Sequence, residues 1–159
     1  MLTAAERLEK IATVRKLPSS VEAAVKGLSD RQLDTPYRSG GWTVRQVVHH
    51  LADSHLNAFT RMKLILTEDK PTLKPYDQNK WAKLIDTKQA PIESSLAILK
   101  GLHERWTTLL ESLPEGSWGR TAYHPERGEV SLENLLTTYA DHGEKHVGQI
   151  TGLRSVKQW

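Results

Sequence analysis

Hydrophobic residues recur with the period of an α-helix along four long segments of the chain, and turn-forming residues separate these segments. Four long amphipathic helices favour a four-helix bundle, in which cofactor sites characteristically lie between facing helices. We therefore predict an all-α fold that forms a single domain over residues 1–159, because about 150 residues is a usual domain size. The predicted long helices cover residues 3–27, 43–68, 91–113 and 131–154.

Residues at the ends of these segments are typical of helix boundaries. Thr43 is the predicted N-cap of the second helix, and Pro91 opens the third at a position that tolerates proline. Pro18 falls inside the first helix, where proline removes a backbone hydrogen bond, so we predict a break or kink there. Ser131 starts a capping box that is incomplete, since Glu133 lies one position too early.

Two smaller features are predicted between the long helices. A short extra helix is expected over residues 77–84, after a segment with two prolines. The segment before the last helix is irregular or forms a small hairpin, because TAY and EVS alternate on either side of Arg127-Gly128.

The composition narrows the possible chemistry of the protein. The chain has seven histidines and no cysteine. Disulfides, cysteine-rich zinc sites, iron–sulfur clusters and thiol nucleophiles from this chain are therefore excluded. Histidine remains the residue best suited to bind a transition metal.

Charge and hydropathy argue against two classes of partner. The net charge is only +3, and the basic residues are scattered rather than clustered, so we expect no nucleic-acid partner. The first residues alternate charged and apolar side chains, unlike a signal peptide, and no apolar stretch has the length of a membrane span. We therefore predict a cytoplasmic protein that does not bind a membrane.

The second predicted helix carries three histidines at different angles to its apolar stripe. His55 lies within the stripe and is predicted to be a core residue. His50 lies about 100° from the centre of the stripe, at its boundary, which makes it the candidate metal ligand of this helix. His49 lies about 160° away and is predicted to face solvent.

The fourth predicted helix carries a histidine pair. His142 and His146 are one turn apart on the same flank of its apolar stripe, so their rings can converge on one ion. The alternative is that the pair is structural, because this spacing also occurs by chance. His103 lies on the stripe of the third helix and is predicted to be buried, and His124 precedes Pro125 in a predicted turn.

The sequence HGEKH around this pair differs from the metalloprotease motif HExxH. That motif needs a glutamate next to a histidine, whereas Glu144 lies two residues after His142, about 200° around the helix. Glu144 is therefore excluded as the standard general base of such enzymes.

The segments GGWTVRQVVHHLADSH and DHGEKHVGQI, with LDTPYR before them and KPYD between them, resemble the DinB/YfiT family, and most closely its YfiT branch. The resemblance covers nearly the whole chain. It implies a four-helix bundle, often homodimeric, with a three-histidine site for a divalent metal, usually zinc or nickel. It places the ligands at His50, His142 and His146, in agreement with the helical phase of these residues.

The resemblance implies a metal-dependent hydrolase that acts on a small-molecule substrate with metal-activated water. The resemblance also implies a second possibility, a metal-dependent thiol S-transferase that uses bacillithiol, mycothiol or another low-molecular-weight thiol. A chain without cysteine would have to take the sulfur for such a reaction from a cosubstrate. A third is a noncatalytic metal-binding stress protein. Asp53 and Asp141 are candidates for orienting a ligand or moving a proton, and Tyr76 and Trp81 are candidate pocket walls.

Overall fold

A computed structural model describes residues 2–159. It confirms the predicted four-helix bundle, the short helix after the second long helix and the hairpin before the last one. The short helix ends earlier than predicted, and a second short helix follows it. In chain order the elements are α1 (Ala4–Val25), α2 (Asp30–Leu33), α3 (Val44–Thr67), α4 (Gln78–Trp81), α5 (Ile85–Gln89), α6 (Ile92–Glu111), a 3₁₀ turn (Glu115–Ser117), β1 (Thr121–His124), β2 (Gly128–Ser131) and α7 (Leu132–Lys157).

The helix ends follow the capping residues, with one difference from the prediction. Thr43 caps α3 as predicted, and its hydroxyl accepts a hydrogen bond from the backbone N–H of Gln46. The prediction of an incomplete capping box at α7 was wrong. The Asn134 side chain takes the role of the missing glutamate, because its Oδ1 accepts from the N–H of Ser131 at 3.0 Å while Ser131 Oγ accepts from the N–H of Asn134 at 3.0 Å.

The predicted break at Pro18 was also wrong, since α1 continues through this residue to Val25. Proline has no N–H, so the bond that is lost is the one to the carbonyl oxygen of Val14, four residues earlier. His103 on α6 supplies a replacement, because its Nδ1 lies 2.6 Å from that oxygen. A tertiary contact therefore satisfies the carbonyl group that the local sequence leaves without a partner.

The packing of the long helices is not that of a simple up-and-down bundle. Helix α1 packs mainly on α6 and α7, and α3 packs on the same two helices, so α1 and α3 lie diagonally opposite each other. The connecting segments 26–43, 68–91 and 112–131 are long enough to cross the ends of the bundle, and each contains short elements of its own. This arrangement places α3 and α7 side by side.

The hairpin is tied to the connection that follows α3. Strands β1 and β2 pair antiparallel, with Ala122 opposite Val130. The N–H of Leu73 donates to the carbonyl oxygen of Tyr123 at 2.8 Å, and Arg120 donates to the carbonyl oxygen of Ile65 near the end of α3 at 2.7 Å. These bonds hold His124 and the following turn near one end of α3.

Helix α7 approaches α1 closely at Gly143. A Cβ atom at this position would lie 2.7 and 2.8 Å from the two methyl carbons of Leu17, which is closer than ordinary contact. Glycine is unfavourable within a helix, and the close packing of α7 on α1 explains its presence.

Among residues 2–159, no helix is both long and apolar enough to cross a membrane.

Candidate metal centre

Three histidines from two adjacent helices converge at one point in the bundle. His50 comes from α3, and His142 and His146 come from successive turns of α7. The Nε2 atom of His142 lies 3.1 Å from Nε2 of His50 and 3.1 Å from Nε2 of His146. All three candidate ligand atoms lie within 4.8 Å of one another. The structure therefore brings together the three residues that were predicted as metal ligands.

Two of the three ligand separations match the coordination geometry of a small divalent ion. Nitrogen ligands at about 2.1 Å from one ion lie about 3.0 Å apart at a 90° angle and about 3.4 Å apart at a tetrahedral angle. The two separations of 3.1 Å fall between these values. Three imidazoles leave at least one coordination position for water or substrate, as catalytic rather than structural sites do.

Burial keeps the three imidazoles in the form that binds metal. Burial, followed by repulsion from the neighbouring histidines, lowers the pKa of His50 to about 3. Burial and the proximity of His146 lower the pKa of His142 to about 3. Burial also lowers the pKa of His146, although the hydrogen bond that His146 donates to Gln149 opposes this effect. All three rings are therefore neutral near pH 7, and each has a nitrogen lone pair available for an ion.

Gln149 orients one of the three rings. Its Oε1 lies 2.8 Å from Nδ1 of His146, one turn along α7. An amide oxygen only accepts hydrogen bonds, so Nδ1 of His146 carries the proton and Nε2 carries the lone pair. Gln149 was not recognised as a functional residue in the sequence, although its position three residues after a candidate ligand is the signal that could have indicated it.

A tryptophan and a cavity border the histidine cluster. The Trp42 ring packs against His50, with ring centroids 4.6 Å apart, and lies nearly parallel to the His146 ring at 6.4 Å. A cavity of about 470 Å³ reaches His142. Its other lining residues include Ser54, Arg61, Tyr76, His124, Arg127 and Tyr139. The cluster is thus shielded by an aromatic side chain and opens towards a space that is large enough for a small molecule.

Arginine side chains make part of the cavity wall positively charged. Arg61 donates to the Tyr139 hydroxyl at 3.1 Å and to the Lys74 carbonyl oxygen at 2.8 Å. Within the described part of the chain it pairs with no carboxylate, and neither does Arg127. Two carboxylates lie among the described residues of the wall. Asp77 caps α4, whereas within residues 2–159 Glu126 forms no ion pair.

The prediction that His49 faces solvent was wrong, since only 6% of it is exposed. Its Nδ1 lies 2.7 Å from the Ser95 hydroxyl and its Nε2 lies 3.0 Å from the Ala90 carbonyl oxygen. The start of α6 and Ala90, the residue that follows α5, cover this flank of α3. A helical-phase argument treats one apolar stripe as the buried face, whereas α3 is covered on several sides.

The remaining histidine predictions were correct. His55 and His103 are buried in the core, with 0% and 1% of their surface exposed. His124 ends β1 and accepts a hydrogen bond at Nδ1 from the backbone N–H of Glu126 at 3.2 Å, which is a turn contact. Glu144 is exposed on α7, in agreement with its exclusion as a general base.

The candidate carboxylates lie apart from the histidine cluster. Asp141 forms an ion pair with Lys10 at 2.6 Å. Asp53 lines a separate small cavity of about 160 Å³ with His49 and Asp86, between α3 and α6. Among the described residues, neither carboxylate forms a hydrogen bond to the three converging histidines. The structure therefore shows no direct contact through which either residue would orient a ligand.

The two candidate pocket walls differ in position. Tyr76 lines the cavity beside His142. Trp81 is absent from the cavity lining and packs on Tyr76, with ring centroids 4.4 Å apart. Trp81 thus supports the wall from outside.

Replacing Asp53 by asparagine should stabilise the protein at neutral pH. Burial, with a smaller contribution from Asp86, raises the pKa of Asp53 to about 6. A pKa raised by folding means that the native state is most stable with the group protonated, and this stability is lost as the pH rises through about 6. Asp53→Asn should therefore increase the free energy of unfolding at pH 7.5 by about 1 kcal/mol after solvent screening, and the gain should disappear below about pH 4.

Urea unfolding of both proteins between pH 4 and pH 8 measures this difference. A variant that is less stable than the wild type at pH 7.5 would contradict the prediction.

Comparisons with known proteins agree with the fold. A family model for the DinB superfamily matches residues 13–150. A relative from Geobacillus thermodenitrificans is 52% identical over 153 residues, which are 95% of this chain and 85% of the relative. A relative from Oceanobacillus iheyensis is 48% identical over 151 residues, which are 95% and 87% of the two chains. The names of both relatives propose a metal-dependent hydrolase.

Two solved structures are similar to this protein. YfiT from Bacillus subtilis, proposed to be a metal-dependent hydrolase with an unusual four-helix bundle topology, has a TM-score of 0.98 and 44% identity, covering all of this chain and 91% of YfiT. The four-helix bundle protein TT2238 has a TM-score of 0.58 and 18% identity over 94% and 99% of the two chains, which shows a shared fold alone. The family match and the close relatives establish that this chain belongs to the DinB superfamily.

Proposed function

We propose that this protein is a metal-dependent hydrolase and that His50, His142 and His146 hold its divalent ion. The observation that carries this proposal is the convergence of three neutral imidazoles, with Nε2 atoms 3.1 Å apart in two pairs, beside a cavity of about 470 Å³. The names of the close relatives support the same activity. Zinc and nickel are the ions that we expect, because the resemblance to the DinB/YfiT family implies them and imidazole nitrogen suits both.

When bound, such an ion supplies a Lewis acid for a substrate oxygen and a lower pKa for a water molecule. The chain supplies the geometry around it. Trp42 covers His50 and His146 on one side, which limits access of bulk water. Arg61 and Arg127 lie on the cavity wall beside His142, so a substrate with a carboxylate or phosphate group would be held with its remaining part near the cluster.

The test is hydrolysis by zinc-loaded and nickel-loaded protein of a panel of esters and amides, each in a neutral form and in a form with an anionic group. We expect hydrolysis without added thiol, with lower KM values for the anionic forms. The matched control is His50→Ala treated with the same metals, in which turnover should fall to the level of the free ion.

Two results would contradict the hydrolase proposal. Turnover of an epoxide or haloarene only when a low-molecular-weight thiol is present would identify a thiol S-transferase. Stoichiometric metal without hydrolysis or thiol transfer would identify a noncatalytic metal-binding protein.

A further inference from the structure

Three imidazole rings and one backbone carbonyl form a continuous line of hydrogen bonds that starts at the histidine cluster, and the two inner rings, His55 and His103, are buried. Nδ1 of His142 lies 3.2 Å from Nε2 of His55. Nδ1 of His55 lies 3.0 Å from Nε2 of His103, and Nδ1 of His103 lies 2.6 Å from the carbonyl oxygen of Val14. The line connects α1 to α7 through α6 and α3.

One end of this line has a fixed direction. The Val14 carbonyl oxygen can only accept a hydrogen bond, so Nδ1 of His103 must donate. Within α1 this oxygen would normally accept from the N–H of residue 18, and Pro18 has none. Pro18 therefore leaves the Val14 carbonyl oxygen free to accept from His103.

The donor and acceptor nitrogens of His103 determine those of the other two rings. A neutral imidazole carries one proton, so donation by Nδ1 of His103 leaves its Nε2 as an acceptor. Nδ1 of His55 must then donate to His103, which leaves Nε2 of His55 as an acceptor for Nδ1 of His142. The Nε2 atom of His142, which points towards His50 and His146, is left with a lone pair.

Neutrality of the two inner rings follows from their surroundings. Burial lowers the pKa of His103 to about 4 and holds the pKa of His55 well below its ordinary value. Both rings are almost fully buried, and Trp106 contacts both edge-on, with ring centroids 5.7 Å from His55 and 5.5 Å from His103. This packing restricts rotation of the rings, so the hydrogen bonds keep their order.

We propose that His103 and His55 are positioning residues for His142. Because the Val14 carbonyl oxygen can only accept, it fixes which nitrogen donates in His103, then in His55 and then in His142. His142 is thereby held as the tautomer with a free Nε2 lone pair. We call the line of hydrogen bonds from the Val14 carbonyl oxygen through His103 and His55 to His142 the relay. Its significance for metal binding rests on the proposed function. Because Gln149 imposes the same tautomer on His146, two lone pairs face each other at 3.1 Å, an arrangement that a cation stabilises.

The relay can be tested in the wild-type protein by ¹⁵N NMR of the histidine rings at pH 7, in the metal-free and the Zn²⁺-loaded state. We expect His103, His55 and His142 to carry their protons on Nδ1 in both states. Protons on Nε2 of His55 or of His103 would overturn the proposal. This measurement needs no substitution, so it does not depend on whether a variant folds.

Two variants of His103 test the effect on the metal. In His103→Gln the amide oxygen can take the place of Nε2 and accept from His55, whereas His103→Leu has no acceptor. We expect the affinity for Zn²⁺, measured by competition with a chelator, to fall about 10-fold in His103→Leu, the lower end of the range that is typical when a direct partner of a metal ligand is lost, and to be largely retained in His103→Gln.

The control for these variants is His49→Leu, which removes another buried histidine with two hydrogen bonds, outside the relay. Its Zn²⁺ affinity should equal that of the wild type. Equal affinities in folded His103→Leu and His103→Gln would overturn the role of the relay in metal binding. If the wild-type protein shows the expected tautomers but binds no metal, the proposed function is contradicted, whereas the proposed order of hydrogen bonds is supported.

Discussion

Replacing His50 or His146 by alanine should yield a folded protein that no longer retains a divalent ion through purification. Each substitution leaves two imidazoles of the three that converge within 4.8 Å. Loss of a residue that hydrogen-bonds to a metal ligand typically reduces the metal affinity about 10- to 100-fold. Loss of a direct ligand should reduce the metal affinity further. The measurement is elemental analysis of protein without a histidine tag, with zinc and nickel determined per chain.

The matched control for this prediction is His49→Gln. His49 is adjacent to His50 in the sequence and is similarly buried, but its ring contacts Ser95 and Ala90 instead of the cluster. This variant should keep the metal content of the wild type. Wild-type metal content in His50→Ala or His146→Ala would show that the three histidines are not the ligands.

Replacing Trp106 by alanine should cause a large loss of stability, because it removes the largest of the fully buried side chains. The Trp106 ring is completely buried, and its Nε1 donates to the sulfur of Met62 at 3.0 Å. Truncating a buried tryptophan costs about 3–5 kcal/mol, since the transferred area is lost and a cavity remains. For a chain of this size the cost corresponds to a decrease in Tm of about 10 °C.

Chemical and thermal unfolding of the metal-free protein would measure this loss. Trp81→Ala is the control, because this ring is 37% exposed and its removal should cost less than about 1 kcal/mol. Similar costs for the two variants would contradict the assignment of Trp106 to the centre of the core. Because Trp106 packs on His55 and His103, its loss should also weaken Zn²⁺ binding.

The fold was largely predictable because helix formation depends on local patterns. The apolar stripe of α3 was identified from its spacing, and the structure buries its predicted members. Thr43 and Ser131 marked two helix starts through side chains that bond to nearby backbone groups. The predicted break at Pro18 was wrong because the partner of the Val14 carbonyl oxygen is His103, 89 residues away, and no local pattern contains it.

The candidate site was predictable only in part. His142 and His146 lie one turn apart on a single helix, so their proximity follows from helix geometry alone. The addition of His50 depends on the packing of α3 beside α7, which the resemblance implied and helical phase could not establish. His49 shows the limit of that reasoning, since α6 and Ala90 bury a face of α3 that carries no apolar stripe.

The sequence by itself determined which segments are helical, which histidines could share a face and that no cysteine takes part in the chemistry. These properties depend on residue type and on spacing within one helix. The tertiary structure alone decided which helices are neighbours, and so it joined His50 to the α7 pair and His103 to the carbonyl left free by Pro18. Contacts between helices depend on how side chains of distant segments fill a common interior, and the local period of a sequence does not encode that arrangement.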